Sequence, residues 1–473
     1  MNRQSVHLLR YGTSAEKTQL EKAINAYDYL VINGNSAAYV SRAIAKFVVE
    51  KFFSKKEKGF IIDPITYAFQ QNIHLLRNKL RTDEETLKKS IKKLVDIYQE
   101  PANKVIEGIP IHPSDFKDNS LLKYFCSRVL DFQYSIVSIY INDNDLKKYL
   151  QYATENMKGL APQFHPKLLI APYFYLNPND SNFKDWLKLN VAFLNEATTQ
   201  ADADFNKCPV FGQIVINKNV LRDKNIMDDV SKHYADCKCK GFTIWVDSFN
   251  EHEETKETLE GFIYLLRSLK KNHKGKQIFN MYGSFFSILL THNSINLLDG
   301  VSHGMEYGEY REVYPVGGGI PVSKYYYMPL HQREDFTKAF YLLEYNKIID
   351  TSLRTWGNTD RYFDEICKCE QCRNIMDKEM VNFYKFESTE YYEITNKKGN
   401  IIRRKKASSQ TKQNCLFHYL LCKKMEFSMI NKKTIDELIN ELQEEKKKYV
   451  NSTLFDNNEF DYIDNWCNII SCL

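Results

Sequence analysis

The run Cys367-Lys368-Cys369-Glu370-Gln371-Cys372 places three thiols within six residues, and Cys415, His418 and Cys422 follow about fifty residues later. Zinc holds four soft or borderline ligands in a tetrahedron, and a tight C-x-C-x-x-C run supplies three of them from one turn. Thiols this close leave little room for bridge geometry, and most of the 11 cysteines are scattered singly, so a structural zinc site is expected here rather than a disulfide. The expected ligands are Cys367, Cys369, Cys372 and His418, with Cys415 and Cys422 as rivals for the fourth place on the same apolar, helix-like stretch.

Carboxylates form the second group able to do chemistry. Asp63 ends Gly59-Phe60-Ile61-Ile62-Asp63, Asp247 ends Phe242-Thr243-Ile244-Trp245-Val246-Asp247, and Asp299 interrupts the apolar run Ile295 to Val301. Each could equally be a helix cap or a loop ion pair. Convergence on one rim would instead make them acid, base or nucleophile.

The elements that must position these groups are eight short apolar runs, most separated by amphipathic helical stretches. They begin at Tyr29, Gly59, Lys167, Val210, Phe242, Gln277, Leu297 and Tyr325. Continuous apolar strands alternating with helices imply parallel pairing buried on both faces. Eight such units close into a (β/α)8 TIM-type barrel more naturally than into an open doubly wound sheet, and chemistry then sits at the C-terminal strand ends. No G-x-G-x-x-G turn follows the first run, which argues against dinucleotide binding. The expected organisation is an α/β barrel over 1–333, with a helical insertion at about 71–160, then a C-terminal zinc-binding and helical region over 334–473.

Composition sets the remaining bounds. No uncharged apolar run is long enough to cross a bilayer, and Met1 to Arg10 lacks the apolar core of a signal peptide. A cytoplasmic chain with reduced thiols is expected. The 65 Lys and Arg against 60 Asp and Glu neither demand nor exclude nucleic acid, so local patches decide. One such patch is Arg403-Arg404-Lys405-Lys406, beyond an expected hairpin turn at Asn396 to Asn400, either a solvated face or a phosphate contact.

A barrel followed by C-x-C-x-x-C and a histidine in an aromatic-leucine helix resembles the tRNA-guanine transglycosylase family. Asp63 followed by Phe69-Gln70, the strand Phe211-Gly212-Gln213-Ile214-Val215, the strand Ile278 to Gly283, and Ile295 to Val301 resemble its barrel motifs in order. The resemblance implies base exchange on a nucleotide of tRNA or DNA. Asp299 would be the nucleophile that forms a covalent glycosyl intermediate, and Asp63 the acid/base. Phe69, Gln70 and Gln213 would line the base, and the zinc would be structural. A homodimer through the zinc side, or partner proteins, would follow as well.

The sequence also departs from that pattern. No acid stands near Ile170 to Tyr173, where the family reads the guanine edge, and Ile216-Asn217 and Ile244-Trp245 replace glycines. Asp247, His303, Glu306 and Glu309 are candidate substitutes for the missing acid. These departures keep a second reading open, in which a catalytically inactive barrel binds nucleic acid or a partner protein within a larger complex.

Overall fold

The structure is a computed structural model that describes residues 5–12, 17–52, 57–79, 85–141, 165–272, 274–305, 309–314, 323–387, 390–395, 399–406, 408–450, 452, 454–456 and 458–473. Its centre is a nearly closed parallel barrel of eight strands: β1 (Val6–Tyr11), β2 (Tyr29–Asn33), β3 (Gly59–Asp63), β4 (Leu169–Ile170), β5 (Val210–Asn217), β6 (Gly241–Asp247), β7 (Gln277–Asn280) and β8 (Gly300–Gly304). Each strand pairs with its neighbours in sequence, and β8 returns to β1 with His303 beside Leu9. At the remaining seam, the Lys167 N–H donates to the Phe60 carbonyl at 2.9 Å.

Amphipathic helices cover the outside. In Lys256–Asn272, Leu259, Phe262, Ile263, Leu265, Leu266 and Leu269 are buried at helical spacing, while Lys270 and Lys271 occupy the last turn, where cations suit the helix dipole. Asp223 caps Lys224–His233 by accepting from the Asn225 and Ile226 amides at 2.9 and 3.3 Å.

Three expectations need correction. The first barrel strand is Val6–Tyr11, where His7 and Arg10 interrupt the apolar run. The last is Gly300–Gly304, a few residues beyond the apolar run chosen from the sequence. Tyr325–Tyr327 (β9) leaves the barrel and pairs antiparallel with Gln332–Glu334 (β10). The segment expected as an insertion also contributes to the barrel wall. Its helix Asn119–Tyr140 packs between Ser41–Phe52 and Phe183–Asp204, as the ring helix between β3 and β4 should.

The long helix Ser409–Met429 covers the outer face where β1 meets β8. Phe427 stacks on His7 with centroids 4.4 Å apart, and the Tyr419 hydroxyl lies 2.9 Å from His303 Nδ1. The same helix carries His418 and Cys422, so barrel and cysteine cluster share one core.

Candidate metal centre and barrel mouth

The cysteine knuckle is built by a helix start. Cys369 is the N-cap of Glu370–Met376, and its Sγ accepts from the Cys372 amide at 3.4 Å. Facing it, His418 and Cys422 stand four residues apart on Ser409–Met429, and that spacing puts both on one helix face. Cys367, Cys369, His418 and Cys422 are all buried, and their ligand atoms all lie within 4.8 Å of one another.

Distances within the cluster suit a bound cation. His418 Nδ1 is 3.4 Å from Cys369 Sγ and 3.6 Å from Cys422 Sγ, and Cys367 Sγ is 3.6 Å from Cys422 Sγ. His418 Nε2 donates to the Tyr326 carbonyl at 2.8 Å, which leaves the Nδ1 lone pair facing the sulfurs. A metal-binding histidine is oriented in the same way. Tyr325 stacks on the ring at 4.5 Å and fixes its plane. Hydrogen bonds from Cys367, Cys372 and Cys422 hold the Cys369 thiol well below its ordinary range, so it favours the thiolate that a cation requires.

Cys422 therefore joins the cluster, where the sequence-based set had Cys372. Cys372 lies alongside, 3.2 Å from His418 Nδ1 and 3.1 Å from the Tyr362 hydroxyl. Cys415 directs its Sγ to the Phe386 carbonyl at 3.6 Å, away from the cluster. Cys415, three residues before His418, shares that helix face by spacing alone, so the packing of its thiol against Phe386 is what separates it from Cys422.

At the C-terminal end of the barrel, Asp63 is fully buried and committed. Arg10 Nη2 donates to its Oδ2 at 2.8 Å, while the Tyr173 hydroxyl and the Ile65 amide donate to its Oδ1 at 2.6 and 3.1 Å. Aromatic rings fill the space around this pair. Tyr67 lies 5.8 Å from Tyr173 and 5.2 Å from Trp245, and Trp245 lies 5.0 Å from Tyr282. The stretch 309–314 is stitched across the mouth: the Trp245 indole and the Ser248 amide both donate to the Arg311 carbonyl, at 3.1 Å each. The Val313 amide in turn donates to Asp247 at 2.8 Å.

Asp299 stands at the opposite end. It immediately precedes β8, its carbonyl accepts from the Val6 amide that opens β1, and its Oδ2 accepts from Lys270 at 2.8 Å and the Ile278 amide at 2.6 Å. Asp63 instead closes β3. Strands of this length span roughly 15 Å, so one sugar cannot meet both carboxylates. A retaining pair needs about 5 Å. The structure thus does not bring the expected nucleophile and acid/base together. Gly304 and Met305 hold the rim position at the end of β8.

The other expected site residues pack in the core or bond to neighbouring side chains and backbone. Phe69 is buried, and Gln70 bonds both the amide and the carbonyl of Tyr175, at 2.8 and 3.0 Å. Gln213 accepts from Thr243 at 3.0 Å inside the barrel, and Asp247 accepts from the Tyr175 hydroxyl at 2.7 Å. His303 points outward to His7 and Tyr419, away from the mouth. Glu306 lies outside the described residues. Arg10, Tyr173 and Arg311 were missed. Arg10, a lone cation in an apolar run, was the legible signal among them.

A buried ionic network locks the helix Ser409–Met429 to the barrel. Lys423 pairs with Glu309 at 2.7 Å and with Glu426 at 3.0 Å, and Glu426 also meets His331 at 2.6 Å. Burial alone would raise the Glu426 carboxyl, but Lys423 and His331 outweigh it and bring it down to about 2.

No model of a known protein family matches this chain, and no curated protein matches it. Among the described residues, no helix is long and apolar enough to cross a membrane.

Proposed function

We propose that this chain is a transglycosylase-like barrel that has kept the family's zinc scaffold, has lost base exchange, and binds nucleic acid. The observation that carries this reading is the placement of Asp63 and Asp299 at opposite ends of the barrel, each held by structural partners. The mouth packing around Arg10 and Asp63 supports it further, since a flipped nucleotide would have to displace Tyr67, Trp245 and the 309–314 strap. The metal is zinc on this reading. Three thiolates and an imidazole suit it, and four protein ligands leave no open position for substrate, as in structural sites. A cytoplasmic setting, which keeps thiols reduced, suits such a site.

The test is adduct trapping. Wild type is incubated with tRNA and with single-stranded and duplex DNA, each with guanine or a deazaguanine, and run on a denaturing gel beside a native gel shift. Binding without any denaturation-resistant adduct is the expected result. An adduct that disappears in Asp63→Asn or Asp299→Asn would overturn the reading and restore base exchange.

A further inference from the structure

Glu390–Thr395 (β11) and Ile401–Lys406 (β12) form an antiparallel hairpin. Its two strands pair along their full length, from Glu390 opposite Lys406 to Thr395 opposite Ile401. It is an excursion between two neighbouring points of the core: the Thr411 hydroxyl, in the first turn of the next helix, donates to the Glu387 carbonyl at 2.9 Å. Removing the hairpin would leave that junction in place.

The ribbon exposes both apolar and charged side chains. Tyr391 is 47 % exposed, Ile401 69 % and Ile402 37 %. The Arg403 guanidinium lies over the Tyr391 ring, 4.3 Å from its centroid. Six basic residues and two acidic ones fall between Glu390 and Lys406. The run Arg403 to Lys406 makes four consecutive positions of β12 basic.

We infer that this ribbon binds duplex DNA, lying along a groove with its cations on the flanking phosphates. The inference rests on the nucleic-acid reading above and names the contact surface. Charge complementarity is its first support. Shape is its second: the B-form major groove, about 12 Å wide, admits a two-stranded ribbon, and six residues per strand span roughly 20 Å along it. The A-form major groove of RNA is too deep and narrow to take it.

The experiment measures affinity by fluorescence anisotropy for duplex DNA, single-stranded DNA and duplex RNA at several salt concentrations. Wild type is compared with the combined Arg403→Gln, Arg404→Gln, Lys405→Gln and Lys406→Gln variant, and with a chain in which 389–407 is replaced by a short Gly-Ser link. Thermal melting checks that both variants remain folded. Duplex DNA should bind most tightly in wild type, lose at least 10-fold in both variants, and show a log–log salt slope shallower by about 3 in the neutralised one. Binding that is unchanged in both variants would overturn the ribbon and leave the nucleic-acid reading standing. Ribbon-dependent binding that prefers RNA or single strands would overturn the choice of duplex DNA. No binding to any polymer by wild type would overturn both.

Discussion

His7 Nε2 and His303 Nε2 lie 2.6 Å apart on adjacent strands, with both rings buried beneath the helix Ser409–Met429. At that separation one nitrogen carries the proton and the other accepts it, so the two rings cannot both be protonated without breaking the contact. Burial pushes His7 down to about 3, assisted by Lys423 and Lys58 and opposed by Glu426. Burial and His7 likewise push His303 well below its ordinary value.

Acid stability should follow from this pair. An unfolded histidine binds its proton near pH 6.5, whereas folded His7 does so only near 3. Between those values the unfolded chain holds more protons, so stability present above pH 6.5 is lost as the pH falls toward 3. The loss is on the order of 5 kcal/mol. His7→Phe keeps a ring against Phe427 and removes the titration. Its Tm should be lower at pH 8, because His303 loses its partner, yet should depend less on pH between 6.5 and 4. Equal slopes in the two proteins would sink the assignment.

Gly261 provides a test of the barrel wall. A Cβ there would overlap the Leu221 carbonyl oxygen and sit 2.8 Å from its carbonyl carbon, and backbone atoms cannot yield cheaply. Gly261→Ala should therefore cost about 3 kcal/mol or more. Gly275→Ala meets nothing within 4 Å and carries only the strain of its φ of +79°, about 1 kcal/mol. Urea denaturation of the two variants compares them directly, and equal midpoints would show that the helix can move away from Leu221.

The barrel was legible because its strands are buried on both faces and so appear as apolar runs, as in Val210 to Ile216. Val6–Tyr11 escaped notice because His7 and Arg10 interrupt it, and each finds its partner far away in sequence, His7 at His303 and Arg10 at Asp63. Cysteine spacing located the metal cluster, but Cys415 and Cys422 lie three and four residues from His418, so helical periodicity alone does not separate them. Asp299 misled for the opposite reason. Local pattern placed an acid in a strand, but only the register of β8 against β1 fixes which end of the barrel it occupies.

The Arg10–Asp63 pair should behave as a structural ion pair. Both groups are buried, and Arg10 Nη1 has no hydrogen-bond partner among the described residues. Asp63→Ala leaves a guanidinium without its counter-charge, which should cost about 3–5 kcal/mol. Arg10→Met with Asp63→Leu removes both charges and should recover much of that loss. Calorimetric melting decides: a double variant as unstable as the sum of its parts would mean that the pair is not coupled as the geometry has it.

Metal content gives the sharpest distinction among the cysteines. His418→Ala and Cys422→Ser remove groups whose ligand atoms face the other sulfurs, so purified protein should carry well under one metal ion per chain by elemental analysis. Because binding free energy of such a site is folding free energy, loss should also lower the Tm and loosen the contact between Ser409–Met429 and the barrel. Cys415→Ser should keep a full complement of metal, because its Sγ is turned toward the Phe386 carbonyl. Exhaustive chelation of wild type should reproduce the His418→Ala melting curve, and zinc added back should restore the original. Full metal occupancy in Cys422→Ser, with loss in Cys372→Ser, would instead put Cys372 in the ligand set in place of Cys422.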